Sequence, residues 1–400
     1  MSDTQTVRLG DLFRSRKEPG VQRLPVLSVT MNRGLVRRDS LDRKSDGKLA
    51  VEDHLLIRKG DLAYNTMRMW QGASGVASCD GIVSPAYVVL EPNNNVDPVF
   101  AGYWFKSARM IYLFWAYSYG ITGDRLRLYY KDFSSIPVAL PSREEQAKIG
   151  RTLSALDLVI DRTRDLIASS RRFNQGVAQL LLTGEKRLLG EHEKHPAGGL
   201  PNGWTQIRLE KLATFKAGGT PQKDRSDYWS GDIPWVTARD LKSHFIDGTS
   251  LNVTDAGVRA GSSLAPTGTI FILVRGMTLL KKVPISVCRR EMAFNQDVRA
   301  IVPRADVDSD YLGRYLAFAS TQLLRFVTIA GHGTGRLEAD SLRAMQIPLP
   351  PREEQLAIAA VLRAADRRVE ILTRKLSALS ELKKGLMQAL MPSEPRMELR

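Results

Sequence analysis

Leu140-Pro141-Ser142-Arg143-Glu144-Glu145-Gln146 recurs as Leu349-Pro350-Pro351-Arg352-Glu353-Glu354-Gln355, with Arg143 and Arg352 standing 209 residues apart. The offset then holds without a gap for about forty residues, so that Ile149, Leu153, Ala155, Asp157, Gly176, Gln179 and Leu181 match Ile358, Leu362, Ala364, Asp366, Gly385, Gln388 and Leu390. A repeat separated by about half of a 400-residue chain means duplicated architecture.

Each copy also carries apolar residues at alternating spacings of four and three. In the first these are Ile149, Leu153, Leu156, Ile160, Ile167, Val177 and Leu181; in the second, Ile358, Leu362, Ala365, Val369, Leu372, Leu376, Leu379, Leu386 and Leu390. That is the seam of a coiled coil, and it predicts one long helix per copy. The prolines before each Arg-Glu-Glu-Gln stop the preceding strand, and the glutamates fall in the first turn, where the helix dipole favours carboxylates. Thr183-Gly184 and Met391-Pro392 supply the ends. Forty residues at about 1.5 Å each give a rod of about 60 Å, far longer than an ordinary globular helix.

The plainer reading packs each helix on its own domain as a core element. Against it, the stripe is narrow and its outward positions are charged, among them Arg151, Asp161, Arg162, Arg164, Arg171 and Arg172, then Arg367, Arg368, Glu370, Arg374 and Lys383. If the helices pair within one chain, the intervening domain must bring the second back beside the first. The expected arrangement is therefore an antiparallel coiled coil with a domain at each end and a pseudo-twofold internal repeat.

Length allows two or three domains with cores of their own. The net charge of +15 is spread evenly: residues 1–140 hold 19 basic against 14 acidic side chains, and residues 200–346 hold the same numbers. Two separately basic domains suggest two contacts with a polyanion, although membrane surfaces also attract Lys and Arg. No apolar run approaches a membrane span, and the polar start Met1-Ser2-Asp3-Thr4 does not read as a signal peptide. Cys79 and Cys288 read as small hydrophobes in a reducing cytoplasm.

A search for catalytic residues returns little. His192 and His195 lie in a polar linker and lack the spacing that sets two metal ligands on one helical face, so no metal site is expected. No Walker phosphate loop or dinucleotide fingerprint occurs, and Gly331-His332-Gly333-Thr334-Gly335-Arg336 reads as a loop with polar donors. Between the repeats, both halves have a mixed texture. Strands are predicted at Gly60–Tyr64, Pro85–Leu90, Gly268–Leu273 and Val298–Val302, and helical stretches at Asp97–Tyr117 and Asp308–Phe326. Each half then has a loop with glycine and arginine before its Ile-Pro strand and long helix.

These residues carry a resemblance over nearly the whole chain: it looks like the DNA specificity subunit of type I restriction-modification systems. The motifs are the paired Pro-x-Arg-Glu-Glu-Gln helices, Pro201-Asn202-Gly203-Trp204 with Leu209, Gly219-Thr220-Pro221 through Tyr228-Trp229 to Ile233-Pro234-Trp235-Val236, and Gly81-Ile82-Val83-Ser84-Pro85-Ala86-Tyr87. The resemblance implies an α+β chain with two α/β target-recognition domains joined by two long helices. Residues 1–140 and 204–349 would be those domains, 141–186 and 350–392 the helices, 187–203 a linker and 393–400 a tail. It further implies that each domain reads part of a split site on double-stranded DNA, and that the helices dock two modification subunits and through these the restriction subunits. S-adenosylmethionine, ATP and magnesium would be bound by those partners, and this chain would hold no cofactor and perform no catalysis. No Asn-Pro-Pro-Tyr type motif of an adenine methyltransferase is present in the sequence, so a flipped adenine would be modified by a neighbour. One departure is that the first half opens Val7-Arg8-Leu9-Gly10-Asp11-Leu12 without the Pro-x-Gly-Trp or Gly-Thr-Pro elements. Two unlike readers would recognise an asymmetric site with unread base pairs between its parts.

Arg suits guanine O6/N7 and Asn or Gln suits adenine N6/N7. On chemistry and loop position the DNA-contact candidates are Arg33, Asn65, Arg68, Arg125 and Arg127, then Thr220, Gln222, Lys223, Arg239, Arg275, Asn295, Gln296, His332, Thr334 and Arg336. More than half should be phosphate contacts or solvated charges, and Trp70, Trp229 and Trp235 should be core aromatics rather than stacking platforms. Replacing Arg68 or Arg336 by Ala is expected to shift sequence preference by about 1–3 kcal/mol, whereas Lys223→Ala should weaken all sequences alike. The coil and partner face should rest on Ile149, Leu153, Leu156, Ile160, Ile358, Leu362, Val369 and Leu376. Two other classes are open: a nuclease with acidic metal ligands around Asp124 or Asp297, and a scaffold that docks partners without reading DNA.

Overall fold

The computed structural model describes residues 5–31, 33–41, 49–120, 122, 125–189, 199–329 and 333–391. Contacts divide the chain into two compact units, Met1–Leu166 with Leu372–Arg400, and Ile167–Ile371. The division runs through both long helices, so each unit owns part of each.

In the first unit the strand Gln5–Arg8 pairs antiparallel with Pro137–Leu140, Val7 facing Val138, and leads into a single helical turn Leu9–Leu12. A four-stranded antiparallel sheet follows, ordered Phe13–Arg16, Tyr87–Pro92, Leu62–Asn65, Ser74–Val76. Its core is aromatic: Phe13, Phe105, Phe114 and Phe133 pack with ring centroids 5.2–6.1 Å apart, in tilted, edge and stacked pairs.

The second unit repeats the frame with different filling. Thr205–Arg208 pairs antiparallel with Gln346–Leu349, and the helical turn Leu209–Leu212 follows. The first half thus keeps this opening although it lacks the Trp and Gly-Thr-Pro motifs. A five-stranded sheet runs Ala213–Ala217, Val298–Pro303, Ile270–Leu273, Ile285–Cys288, Phe245–Ile246. Its central strand, Ile270-Phe271-Ile272-Leu273, is an unbroken apolar run buried on both faces. A second, four-stranded sheet carries Trp229–Val236.

Both helical stretches expected between the sheets break in two. Pro98–Trp104 stops where the Ser107 hydroxyl accepts the Met110 amide and starts Ala108–Ala116, and Ser309–Phe318 gives way at Ala319 to Ser320–Leu324. In the first break the Ser107 hydroxyl satisfies a free amide and makes a new helix start cheaper than continuation, whereas no side chain caps the helix that starts after Ala319.

The long helices span Arg143–Leu182 and Arg352–Leu390. In the first unit, Ile149 and Leu153 at the start of one helix enter a core that also holds Met391, Leu386, Met387 and Leu390 at the end of the other, and Lys383 Nζ meets Asp157 at 2.6 Å. In the second unit, Leu181, Leu182 and Val177 at the end of the first helix pack with Ile358 and Leu362 at the start of the second. In both units, then, the helices run antiparallel. Ile160 is buried on this seam, whereas Leu156, Val369 and Leu376 are half-buried.

The repeated motif has a definite task. Gln146 Oε1 accepts the Asp97 amide at 2.8 Å while Asp97 Oδ1 caps the helix of Phe100, and Arg143 meets Asp97 at 2.8 Å. The second half repeats this with Gln355 on the Asp308 amide at 2.8 Å, Asp308 capping at Tyr311, and Arg352 at 3.6 Å. Further along, Tyr103 donates to Asp157 at 2.7 Å and Arg314 to Asp366 at 2.6 Å, again at matching positions of the two copies. Arg and Gln of the motif therefore grip the helix cap of the globular part they follow, which fixes each globular part to its long helix.

Candidate nucleic-acid interface

In the first unit, Asn65 closes the strand Leu62–Asn65, and its Oδ1 accepts the Met67 amide at 3.0 Å. This turn presents Arg68 to solvent, and Trp70 steadies it through Nε1 donating to the Met67 carbonyl at 3.0 Å. The Leu128 amide donates to Thr66 O at 3.0 Å, and Tyr119 and Arg127 exchange two backbone bonds, so the segment with Arg125 and Arg127 lies beside the turn. Arg125, Arg127 and Tyr129 are all exposed, whereas Leu128 is buried. Tyr119 and Tyr129 are 56% and 42% exposed with ring centroids 6.0 Å apart, and Arg127 donates to the Tyr129 hydroxyl at 3.3 Å. Polarity and loop position do not single out these tyrosines, and the alternation of Arg125, Arg127 and Tyr129 is the signal that does.

Arg33 stands elsewhere. It sits in the turn between Leu27–Thr30 and Gly34–Arg37, where its amide donates to Thr30 Oγ1 at 3.0 Å, and it lines a groove of about 1100 Å³ with Tyr103, Lys106, Asp157 and Lys383. Burial, and then the Lys383 cation, hold the Lys106 amine below its ordinary value.

In the second unit two tryptophans hold a loop. Trp229 Nε1 donates to Gln222 O at 3.0 Å and Trp235 Nε1 to Gly219 O at 3.1 Å, the indoles meeting edge to face at 5.0 Å. Both indoles thus face protein, as do those of core aromatics, and the segment they hold displays Gln222 and Lys223 outward. The Thr220 hydroxyl donates to Gln296 Oε1 at 2.6 Å. Gln296, Arg275 and Arg336 line one cavity of about 130 Å³ together with Arg299 and Arg343. Arg239 is exposed outside it, with its amide on Thr237 Oγ1 at 3.3 Å. Asn295, expected at a base edge, is instead 7% exposed, and its amide group is engaged with Asp297 at 3.1 and 3.4 Å in holding a turn. Thr334 is half-buried next to the strand Gly335–Leu337, and His332 and Asp124 lie outside the described residues. Arg299 and Arg343 escaped the sequence reading because a strand and a short helix, not loops, carry them.

Among the described residues no three or more His, Cys, Asp or Glu side chains gather to hold a metal ion, and no helix is long and apolar enough to cross a membrane.

Comparison with known proteins follows the duplication. The sequence model of the type I restriction modification DNA specificity domain matches twice, over residues 1–169 and 201–381. The chain is 26% identical over 271 residues to the type I restriction enzyme EcoR124I/EcoR124II specificity subunit of Escherichia coli, covering 65% of this chain and 63% of that one. It is 31% identical over 189 residues to the MjaIX specificity subunit of Methanocaldococcus jannaschii, covering 45% and 42%. These alignments span less than two thirds of either relative. Among solved structures, the HsdS subunit from Thermoanaerobacter tengcongensis shares the fold with a TM-score of 0.52 and 19% identity over 97% of this chain and 96% of that one. The S subunit from M. genitalium does so at 0.59 and 15% over 98% and 97%. Matched in both halves, each of which holds its own opening strand, globular part and long helix, the chain belongs to the type I restriction-modification DNA specificity family.

Proposed function

We propose that the chain is the non-catalytic reading subunit of a type I restriction-modification complex, acting in the cytoplasm on double-stranded DNA. Residues 1–140 and 204–349 are its two target-recognition domains, and they read the two parts of a bipartite, asymmetric site. The observation that carries this reading is one frame with two chemistries. The same Arg-Gln grip on Asp97 and Asp308 fixes both readers, yet one presents Arg68, Arg125 and Arg127 beside exposed tyrosines and the other displays Gln222 and Lys223 on a segment held by Trp229 and Trp235. Like frames hold them in like fashion, and unlike surfaces select unlike half-sites.

The long helices dock two modification subunits, which in turn carry the restriction subunits. Support comes from apolar residues the seam does not use: Val159 and Leu166 in the first unit, and Phe173 and Leu180 in the second, are exposed at intervals of seven residues. Such side chains on an otherwise charged helix suit a partner's apolar face. S-adenosylmethionine, ATP and magnesium belong to those partners, which perform the methylation and cleavage.

The test is to map N6-methyladenine across host DNA with and without this gene by single-molecule sequencing. Loss of one bipartite asymmetric motif is the expected result. An unchanged methylome, together with a reconstituted complex that binds DNA without sequence preference, would leave a scaffold instead.

A further inference from the structure

The short strands Arg275–Gly276 and Gly335–Leu337 pair antiparallel with Arg275 directly opposite Arg336. Like charges in opposed positions repel, and the close approach is built in. Gly276 has φ +148°, a conformation closed to other residues, and a Cβ on its partner Gly335 would lie 2.8 Å from Leu279 Cβ. Two further guanidiniums, Arg299 and Arg343, share the cavity, while no Asp or Glu lines it. Among the described residues none of the four arginines forms an ion pair.

The arginines are held rather than loose. Arg343 lies over the Phe215 ring at 5.5 Å, and Arg299 is half-buried on a central strand, where burial and then the Arg343 charge disfavour its cationic form. Gln296 spends its Oε1 on the Thr220 hydroxyl, which leaves its NH₂ as the end with donors to offer. Every polar side chain lining the cavity is therefore a donor or a cation, set beside the apolar Phe215, Val274, Leu337 and Leu342, and what is missing is an anion. The volume decides its class. About 130 Å³ is well short of the roughly 300 Å³ of a small-molecule pocket, and a tetrahedral oxyanion suits both the space and the forked guanidinium donors.

We infer that this cavity is a phosphate seat, in which the second reader fixes one phosphodiester of the DNA backbone between Arg275, Arg299, Arg336 and Arg343. The inference rests on the DNA-reading function above and makes it more specific. Arg275 and Arg336 become backbone holders that set the register of the reader, and base selection falls to the surrounding segments. The step is binding only.

The test uses the full-length chain and its Arg343→Gln and Arg299→Gln variants. Affinity for a random-sequence duplex and for the motif found by methylome mapping is measured by fluorescence anisotropy across a salt series. Each variant should lower the slope of log K against log salt, by no more than the roughly 0.9 that one phosphate contributes, and by the same amount on both duplexes. An unchanged slope, which would make these arginines structural, or a loss confined to the motif duplex, which would make them base readers, would overturn the inference. Inorganic phosphate supplies a second arm: it should raise the melting temperature of the wild type and not of either variant. Phosphate stabilisation with an unaltered DNA slope would mean that the seat takes a free oxyanion and not DNA. If the wild type bound no DNA, the broader reading would fail, and the phosphate arm would still report whether an anion site exists. Circular dichroism of each variant guards against misfolding, and Arg343→Lys, which keeps charge without the fork, should retain the slope at lower affinity.

Discussion

Gln146 and Gln355 show how much a single side chain settles. Each spans from its own motif proline to the cap of a neighbouring helix, Gln355 Nε2 donating to Pro350 O at 2.9 Å while Oε1 receives the Asp308 amide. Truncating Gln355 to Ala should leave a buried amide and carbonyl unpaired and cost about 1–3 kcal/mol in urea unfolding. Asp310 offers a pH-dependent counterpart. Burial raises its pKa, but His244 at 2.6 Å, Arg314 at 2.7 Å and Arg363 at 2.8 Å outweigh this and hold the carboxyl below the ordinary aspartate value. The unfolded chain then binds this proton more tightly than the native one. The contribution is complete above the unfolded value of about 4 and fades as pH falls through the lower native value. Asp310→Asn should cost about 1–3 kcal/mol near neutrality, because Arg314 and Arg363 lose a charged acceptor although Arg314 keeps Asp366 and Arg363 reaches solvent, and should flatten the acid side of the stability curve, read by urea titrations at several pH values. Little of this was legible beforehand. Gln146 and Gln355 stood out as a repeat, but their partners Asp97 and Asp308 lie about fifty residues upstream, and Asn295 looked like a base reader because composition does not reveal burial.

At the scale of elements, the long helices were readable almost to the residue. Their seams keep seven-residue spacing with no proline inside, and the predicted ends at Thr183-Gly184 and Met391-Pro392 agree with helices closing at Leu182 and Leu390. The seam includes what an apolar template skips, namely buried Thr163 and Ser170, with Thr163 satisfied by the Val159 carbonyl at 2.7 Å. The second apolar row, by contrast, looks the same as the first until exposure is known. Phe173 is 67% exposed, so Phe173→Glu should change stability by less than about 0.5 kcal/mol and yet abolish copurification with the modification subunit. A large drop in melting temperature would instead make the row structural. The arginine cavity belongs to this scale too: strand register, not sequence neighbourhood, brings residues 275, 299, 336 and 343 together.

For the whole molecule the charge is the first consequence. With +15 overall and +5 on each reading segment, affinity for random DNA should fall about 10³-fold or more between about 50 and 200 mM salt if six or more phosphates are engaged. Filter binding over that range checks it, and a shallow dependence would mean that the basic surfaces serve something other than DNA. The second consequence concerns how such a chain comes into being. Its second unit, Ile167–Ile371, is continuous, whereas the first is closed only by Leu372–Arg400, and Leu386, Leu390 and Met391 sit in the same core as Phe13 and Phe133. The part of the protein made first is therefore finished last. At roughly 5–20 residues per second on the ribosome, residues 1–166 wait on the order of ten seconds or more with an open aromatic core. A nascent chain stalled before residue 386 would hold a completed second unit and an unfinished first, exposed to chaperones and proteases, so truncated products should be cleared rather than accumulate.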